Sequence, residues 1–160
     1  MSENLGDFLL KERIKNKDEM QKGLKQKYIG DMGELFALKY LENLFEKNNI
    51  RNYDITPHDY DKEDFDLEIY INGRRYKIEI KTSTMEKYPV FEGIHFNNDF
   101  DFLFLIWHPN DEEVYFAILT KDEAKDIAVP ENRNREDDDN WKIHTIEIFD
   151  ENFLNRLSIF

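Results

Sequence analysis

Residues 65–81 read FDLEIYINGRRYKIEIK. Apolar and polar residues alternate on both sides of Asn72-Gly73, and Asn-Gly between two such runs is the strongest short-range signal for a hairpin closed by a two-residue type I′ turn. The register follows by arithmetic. Opposed residues have numbers that sum to 145, so Ile71 faces Arg74, Ile69 faces Tyr76 and Asp66 faces Glu79, with Lys81 two residues further along the same face.

Side chains alternate between the two faces of a strand. Phe65, Leu67, Ile69 and Ile71 therefore share a core face with Tyr76, Ile78 and Ile80, while Asp66, Glu68 and Tyr70 share a polar face with Arg75, Lys77, Glu79 and Lys81. A solvated face laced with salt bridges accounts for Glu68 opposite Lys77. It does not account for Asp66 opposite Glu79, because like charges at a direct cross-strand pair destabilise by a few tenths to about 1 kcal/mol. The pair calls for a compensating cation or a raised pKa. With no Cys and no clustered His, only hard oxygen ligands are on offer, and these suit Mg²⁺ or Mn²⁺ rather than zinc.

Asp66, followed after the hairpin by Glu79-Ile80-Lys81, resembles the D…(D/E)-x-K signature of the PD-(D/E)XK phosphodiesterase superfamily, which includes restriction enzymes and many repair and phage nucleases. Phe65 stands where the signature's proline would be. Upstream, Gly33-Glu34 within YIGDMGELFALKYLENLF resembles the superfamily's first core helix, whose glutamate commonly completes the metal site. The two motifs span residues 29–83 in the order helix, hairpin, strand. The resemblance implies an α/β restriction-endonuclease-like core, a central mixed β-sheet with an antiparallel catalytic hairpin flanked by helices.

It also implies roles. Asp66 and Glu79 would ligate one or two Mg²⁺ ions, with Mn²⁺ as a substitute, helped by Glu34 directly or through water and by the backbone carbonyl of Ile80. Lys81 would orient or deprotonate the attacking water, or counter charge on the phosphate, and cleavage would leave a 5′ phosphate. Thr82 and Ser83 would either touch the scissile backbone or serve the turn that ends the strand. The expected protein is a metal-dependent DNA endonuclease of restriction type in virus-host or mobile-element conflict, working as a homodimer. A structure-specific or end-dependent repair nuclease is the rival within the class. An acidic non-catalytic binding protein or DNA mimic is the rival outside it.

The net charge of −13 motivates that last reading. Its distribution is uneven: residues 1–29 carry a net +2, from Lys11, Arg13, Lys15, Lys17, Lys22, Lys25 and Lys27 against five acidic residues. This basic arm, Lys11, Arg13 and Lys15 above all, is either a phosphate contact or a solvated helix.

At 160 residues, 40% hydrophobic and 14% aromatic, the chain is expected to form one domain: a basic helical arm over 1–28, a catalytic core over 29–128, and a charged loop, strand and short helix over 129–160. The absence of Cys excludes disulfides and thiol chemistry. Residues 1–20 lack the apolar core of a signal peptide, and no run approaches the roughly 18 apolar residues of a membrane span, so a cytoplasmic protein without membrane contact is expected. No G-x-S-x-G, P-loop or G-x-G-x-x-G is present, which leaves serine hydrolases, P-loop enzymes and nucleotide cofactors without support. His58, His95, His108 and His144 show no ligand spacing, and His58 is the one in the loop before Asp66.

Along the chain, residues 3–27 read as helix with Gly23 as a break. A second helix starts from Asp31 as N-cap and carries Leu35, Leu38, Leu41, Leu44 and Phe45 to Lys47. Glu34 then falls in a first turn, where the helix dipole is reason enough for an acid, and Tyr40 reads as packing. A strand over 52–55 and a polar loop over 56–64 lead to the hairpin, where Asp64 would face Lys81 at the rim. Strands follow over 90–96, 102–107 and 114–119. Thr120-Lys121-Asp122-Glu123 has capping-box form before a helix that ends ahead of Pro130. A charged loop over 130–140, a strand over 141–149 and a last turn capped by Asp150 complete the expectation.

Overall fold

A computed structural model describes residues 22–57, 65–131 and 139–144, with only the backbone described over 22–28. The chain order is α1 (Lys22–Lys47), β1 (Tyr53–Pro57), β2 (Leu67–Ile71), β3 (Arg74–Ser83), β4 (Phe91–Ile94), β5 (Phe102–Trp107), β6 (Tyr115–Thr120), α2 (Lys121–Ile127), β7 (Val129–Pro130) and β8 (Trp141–Ile143). The contacts expected of Lys11, Arg13 and Lys15, the helix over 3–21, His58, Asp64 and the end of the chain beyond His144 lie outside the described residues.

The hairpin has the expected form. Asn72 and Gly73 both take positive φ, 50° and 78°, as a type I′ turn requires. Ile71 pairs with Arg74, Ile69 with Tyr76 and Glu68 with Lys77. The opposed charges Glu68 and Lys77 attract each other, and each also has a second partner. Glu68 lies 3.8 Å from Arg75 Nε, one step diagonal, while Lys77 pairs with Asp99 across to the next strand connection.

Around the hairpin forms a five-stranded sheet in the order β1-β2-β3-β5-β6, antiparallel except where β3 runs parallel to β5. A second sheet has the order β4-β8-β7. The FLFLIW run of β5 explains the layering: Phe102, Phe104 and Ile106 pack with α1, whereas Leu103 and Leu105 pack with Phe91, Ile94 and Ile143 of the small sheet and Ala124 of α2. Strands buried on both faces read as continuous apolar runs. The capping box is present, with Glu123 N donating to Thr120 Oγ1 (3.2 Å) and Thr120 N to Glu123 Oε1 (2.9 Å).

Helix α1 departs from expectation at its start. It is continuous from Lys22, so Asp31 is interior rather than an N-cap, and Glu34 is far from the first turn. The dipole account of Glu34 therefore fails. The buried stripe is Met32, Phe36, Ala37, Leu41 and Phe45, which leaves Leu35 at the surface. The helix ends as a left-handed cap: Asn49 has φ 60°, Ile50 N donates to Phe45 O (2.9 Å) and Asn49 N to Glu46 O (3.1 Å). Among the described residues, no helix is long and apolar enough to cross a membrane.

Gly33 sets how closely α1 approaches β3. A Cβ built there would lie 2.0 Å from Thr82 Oγ1. We predict that Gly33→Ala lowers stability by about 1–3 kcal/mol through this overlap, after the gain of up to about 1 kcal/mol in helix propensity has been offset. Adding Thr82→Ala should restore most of the loss. Thermal melts of the two single variants and the double variant test this, and an unchanged or raised melting temperature for Gly33→Ala would refute the close approach.

Candidate active site

Asp66 sits where the hairpin ladder ends. Its amide donates to Ile78 O (2.9 Å), and Ile78 is already the ladder partner of Leu67. Two consecutive residues thus address one, as at a bulge, and the first strand turns aside. The direct pairing of Asp66 with Glu79 expected from the register does not form. Instead Asp66 Oδ2 accepts from Ile80 N at 2.7 Å, so a side-chain carboxylate takes the place of the strand carbonyl that would otherwise have met that amide. Asp66 is buried, at 9% exposure, because the bond lies inside the sheet edge.

Side chains from both layers then converge on Asp66. Glu34 approaches it from α1 and Glu79 from β3, each close enough for the Asp66 charge to raise its pKa. Lys81 Nζ stands 3.3 Å from Glu79 Oε1. Glu34, Asp66, Glu79 and Lys81 are thereby brought together, although they come from three elements and a span of 48 positions. Ile80 contributes its amide to Asp66. Its carbonyl points toward the same edge, since N–H and C=O of one strand residue share a direction.

Thr82 and Ser83 go elsewhere. Thr82 faces α1 at Gly33. Ser83 is buried, and its hydroxyl accepts from Val90 N (3.1 Å) and Met85 N (3.4 Å), which makes it the anchor of the turn after β3. Of its two expected roles, the turn is the one its bonds fill. His95 holds the Asp139 carbonyl through Nδ1 (2.8 Å).

One neighbour escaped the sequence reading. Gly93, in β4, has φ 68°, and a Cβ there would lie 3.8 Å from Lys81 Nζ. Its amide donates to Glu131 Oε1 (2.6 Å), and the β4–β8 register shifts between Phe91 and Ile94. A lone Gly within a strand pattern is the signal for such a bulge or close approach.

Three carboxyls this close cannot all ionise. Burial, followed by the Asp66 charge, raises both Glu34 and Glu79 from 4.5 to about 7, and the Asp31 charge adds to the rise at Glu34 while Lys81 moderates that at Glu79. Asp66 is also raised by burial, against the opposing pull of the Ile80 amide and Lys81. Among the described residues, no three His, Cys, Asp or Glu groups are placed so that they could hold a metal ion. The donor chemistry, all hard oxygen beside one ammonium, fits a divalent cation such as Mg²⁺.

No family model matches the sequence, and no curated protein matches it. Among solved structures, the fold is similar to that of a bacterial homing endonuclease, with a TM-score of 0.50, 19% sequence identity and 78% of each chain covered. At that identity the likeness concerns the fold.

The raised carboxyls make a prediction about pH. A carboxyl whose pKa is 4.5 unfolded and about 7 folded holds its proton longer in the folded state, so its stabilising effect is complete below 4.5 and is lost as pH rises through about 7. In chelator, the melting temperature should fall between pH 5 and pH 8, and the fall should be smaller in Glu34→Gln by roughly 2–4 °C. Parallel pH profiles for the two proteins would rule out a raised pKa at Glu34.

Proposed function

We propose that this chain is a metal-dependent endonuclease that hydrolyses DNA, with Mg²⁺ as its ion and Mn²⁺ able to replace it. The observation that carries this reading is the convergence of Glu34, Asp66 and Glu79 at the end of the hairpin, with Lys81 3.3 Å from Glu79. Three carboxylates gathered against their own repulsion need a purpose, and a resident cation supplies one. Asp66 and Glu79 would hold it, with Glu34 and the Ile80 carbonyl completing the set. A bound ion of this kind lowers the pKa of its water and stabilises charge on a phosphodiester.

This chain's residues do the rest. Asp66 is oriented by the Ile80 amide (2.7 Å), which fixes one oxygen and leaves the other for the ion. Lys81 positions the attacking water and offsets charge that builds on the phosphate. DNA as substrate is supported by the activity of the bacterial homing endonuclease whose fold is similar. A restriction-type role, in virus-host or mobile-element conflict, with two copies each cutting one strand, accords with the motif.

The net charge of −13 favours one other reading, an acidic protein that imitates DNA on the same fold. Cleavage of supercoiled and linear DNA with Mg²⁺, with Mn²⁺ and with chelator separates the two. We expect wild type to cut only with metal, and Lys81→Ala and Asp66→Asn each to lose about 100-fold or more. Asp66→Asn keeps an acceptor for Ile80 N, so its loss would report charge rather than folding. No cutting of any DNA, coupled with inhibition of a DNA-binding enzyme, would establish the mimic instead.

A further inference from the structure

The turn that follows β3 is hydrogen-bonded at both ends and exposes large side chains between them. Both polar groups of the Met85 backbone are occupied: its amide donates to Ser83 Oγ (3.4 Å) and its carbonyl accepts from Trp107 Nε1 (2.7 Å). The far end of the turn is tied by Val90 N to the same hydroxyl (3.1 Å), and Pro89 between them is buried. Between these anchors, Met85 is 50% and Tyr88 53% exposed, and Lys87 is also exposed. Tyr88 lies against His144, at the end of β8, with ring centroids 6.5 Å apart.

Position makes this exposure informative. Met85 follows Lys81 by four residues, at the carboxyl ends of the parallel strands β3 and β5, the end of an α/β sheet where ligands are usually received. A fixed backbone spends no ordering entropy when its side chains are engaged. Two large side chains bracket the exposed pair Glu86 and Lys87, and their faces suit the bases and sugars of a nucleic-acid strand while Lys87 suits a phosphate between them.

We propose that Met85 and Tyr88 pack on the sugars and bases next to the scissile phosphate of bound DNA, and that Lys87 meets a neighbouring phosphate. This inference rests on the DNA-cleaving reading of the site and adds a substrate-holding surface to it. The surface binds DNA and takes no part in bond breaking.

The test is steady-state cleavage of a short DNA duplex in Mg²⁺ by wild type, Tyr88→Ala, Tyr88→Phe, Met85→Ala and Lys87→Ala over a range of salt. Tyr88→Ala and Met85→Ala should each raise KM by about tenfold with kcat little changed, and Tyr88→Phe should keep wild-type KM. Lys87→Ala should reduce the slope of log KM against log salt by about one phosphate contact, a change that loss of packing alone would not cause. If wild type cuts and the variants match it in KM and salt slope, the turn is not a DNA surface although the nuclease reading stands. If wild type does not cut, both readings fall. A shift of oligomeric state in Tyr88→Ala without a change in KM would assign the surface to a second copy of the chain and overturn the proposal.

Discussion

The hydrogen bond from the Ile80 amide to the Asp66 carboxylate is where the sheet and the site become one object. An edge amide of a central strand must be satisfied once buried, and the penalty for leaving it orphaned is roughly 1–3 kcal/mol. Here the satisfying group is a side chain, because the first strand of the hairpin has already turned aside at Leu67↔Ile78. Bonding to the strand with one oxygen holds Asp66 at the sheet edge, where α1 and the outer face of β3 can both reach it. Gly33 supplies the second condition. Without a side chain there, α1 lies directly on Thr82, and Glu34, the next residue, is carried to Asp66.

Strand alternation does the remaining placement. Ile78, Ile80 and Thr82 look toward α1, so Glu79, Lys81 and Ser83 must look the other way. That second face is floored by Leu103 and Leu105 of β5, packed against the small sheet. The bulge at Gly93 brings β4 backbone up to Lys81 with no side chain in between, and Glu131 holds the peptide there. Core and site therefore share one strand, separated only by its pleat.

What the sequence made legible was what depends on local chemistry. Asn72-Gly73 with period-two flanks gives the hairpin and its register because positive φ at two successive residues leaves few alternatives. Thr120 to Glu123 gives the capping box, and an uninterrupted FLFLIW gives the doubly buried strand. The start of α1 was not legible, since Gly23 and Asp31 look like an end and a beginning when their packing is unknown. Nor was the departure of Asp66 from the ladder, which is decided by a backbone bond to Ile78 and not by any residue type. An acid opposite an acid needed explaining, and Asp66 and Glu79 do interact, through their side chains and not through the strand register. Ser83 shows the converse. Its position two residues after Lys81 on the same face invited a substrate role, while its hydroxyl is taken up by the amides of Val90 and Met85 in the turn.

The charge pattern around Asp66 bears on why such a costly arrangement persists. In a chain with net charge −13, packing three carboxyls together raises the free energy of ionising each of them, and burial raises it further. A fold selected for stability alone would place apolar groups there, since replacing buried charges with well-packed hydrophobic residues is often neutral or favourable. Glu34 and Glu79 are instead held at about 7, where protons are easily given up near neutral pH. A divalent cation that displaced those protons would relieve the same repulsion more completely, because it presents two charges to three ligands where each proton serves one pair. Under the proposed function, such an ion would offset the like charges that Glu34, Asp66 and Glu79 bring together.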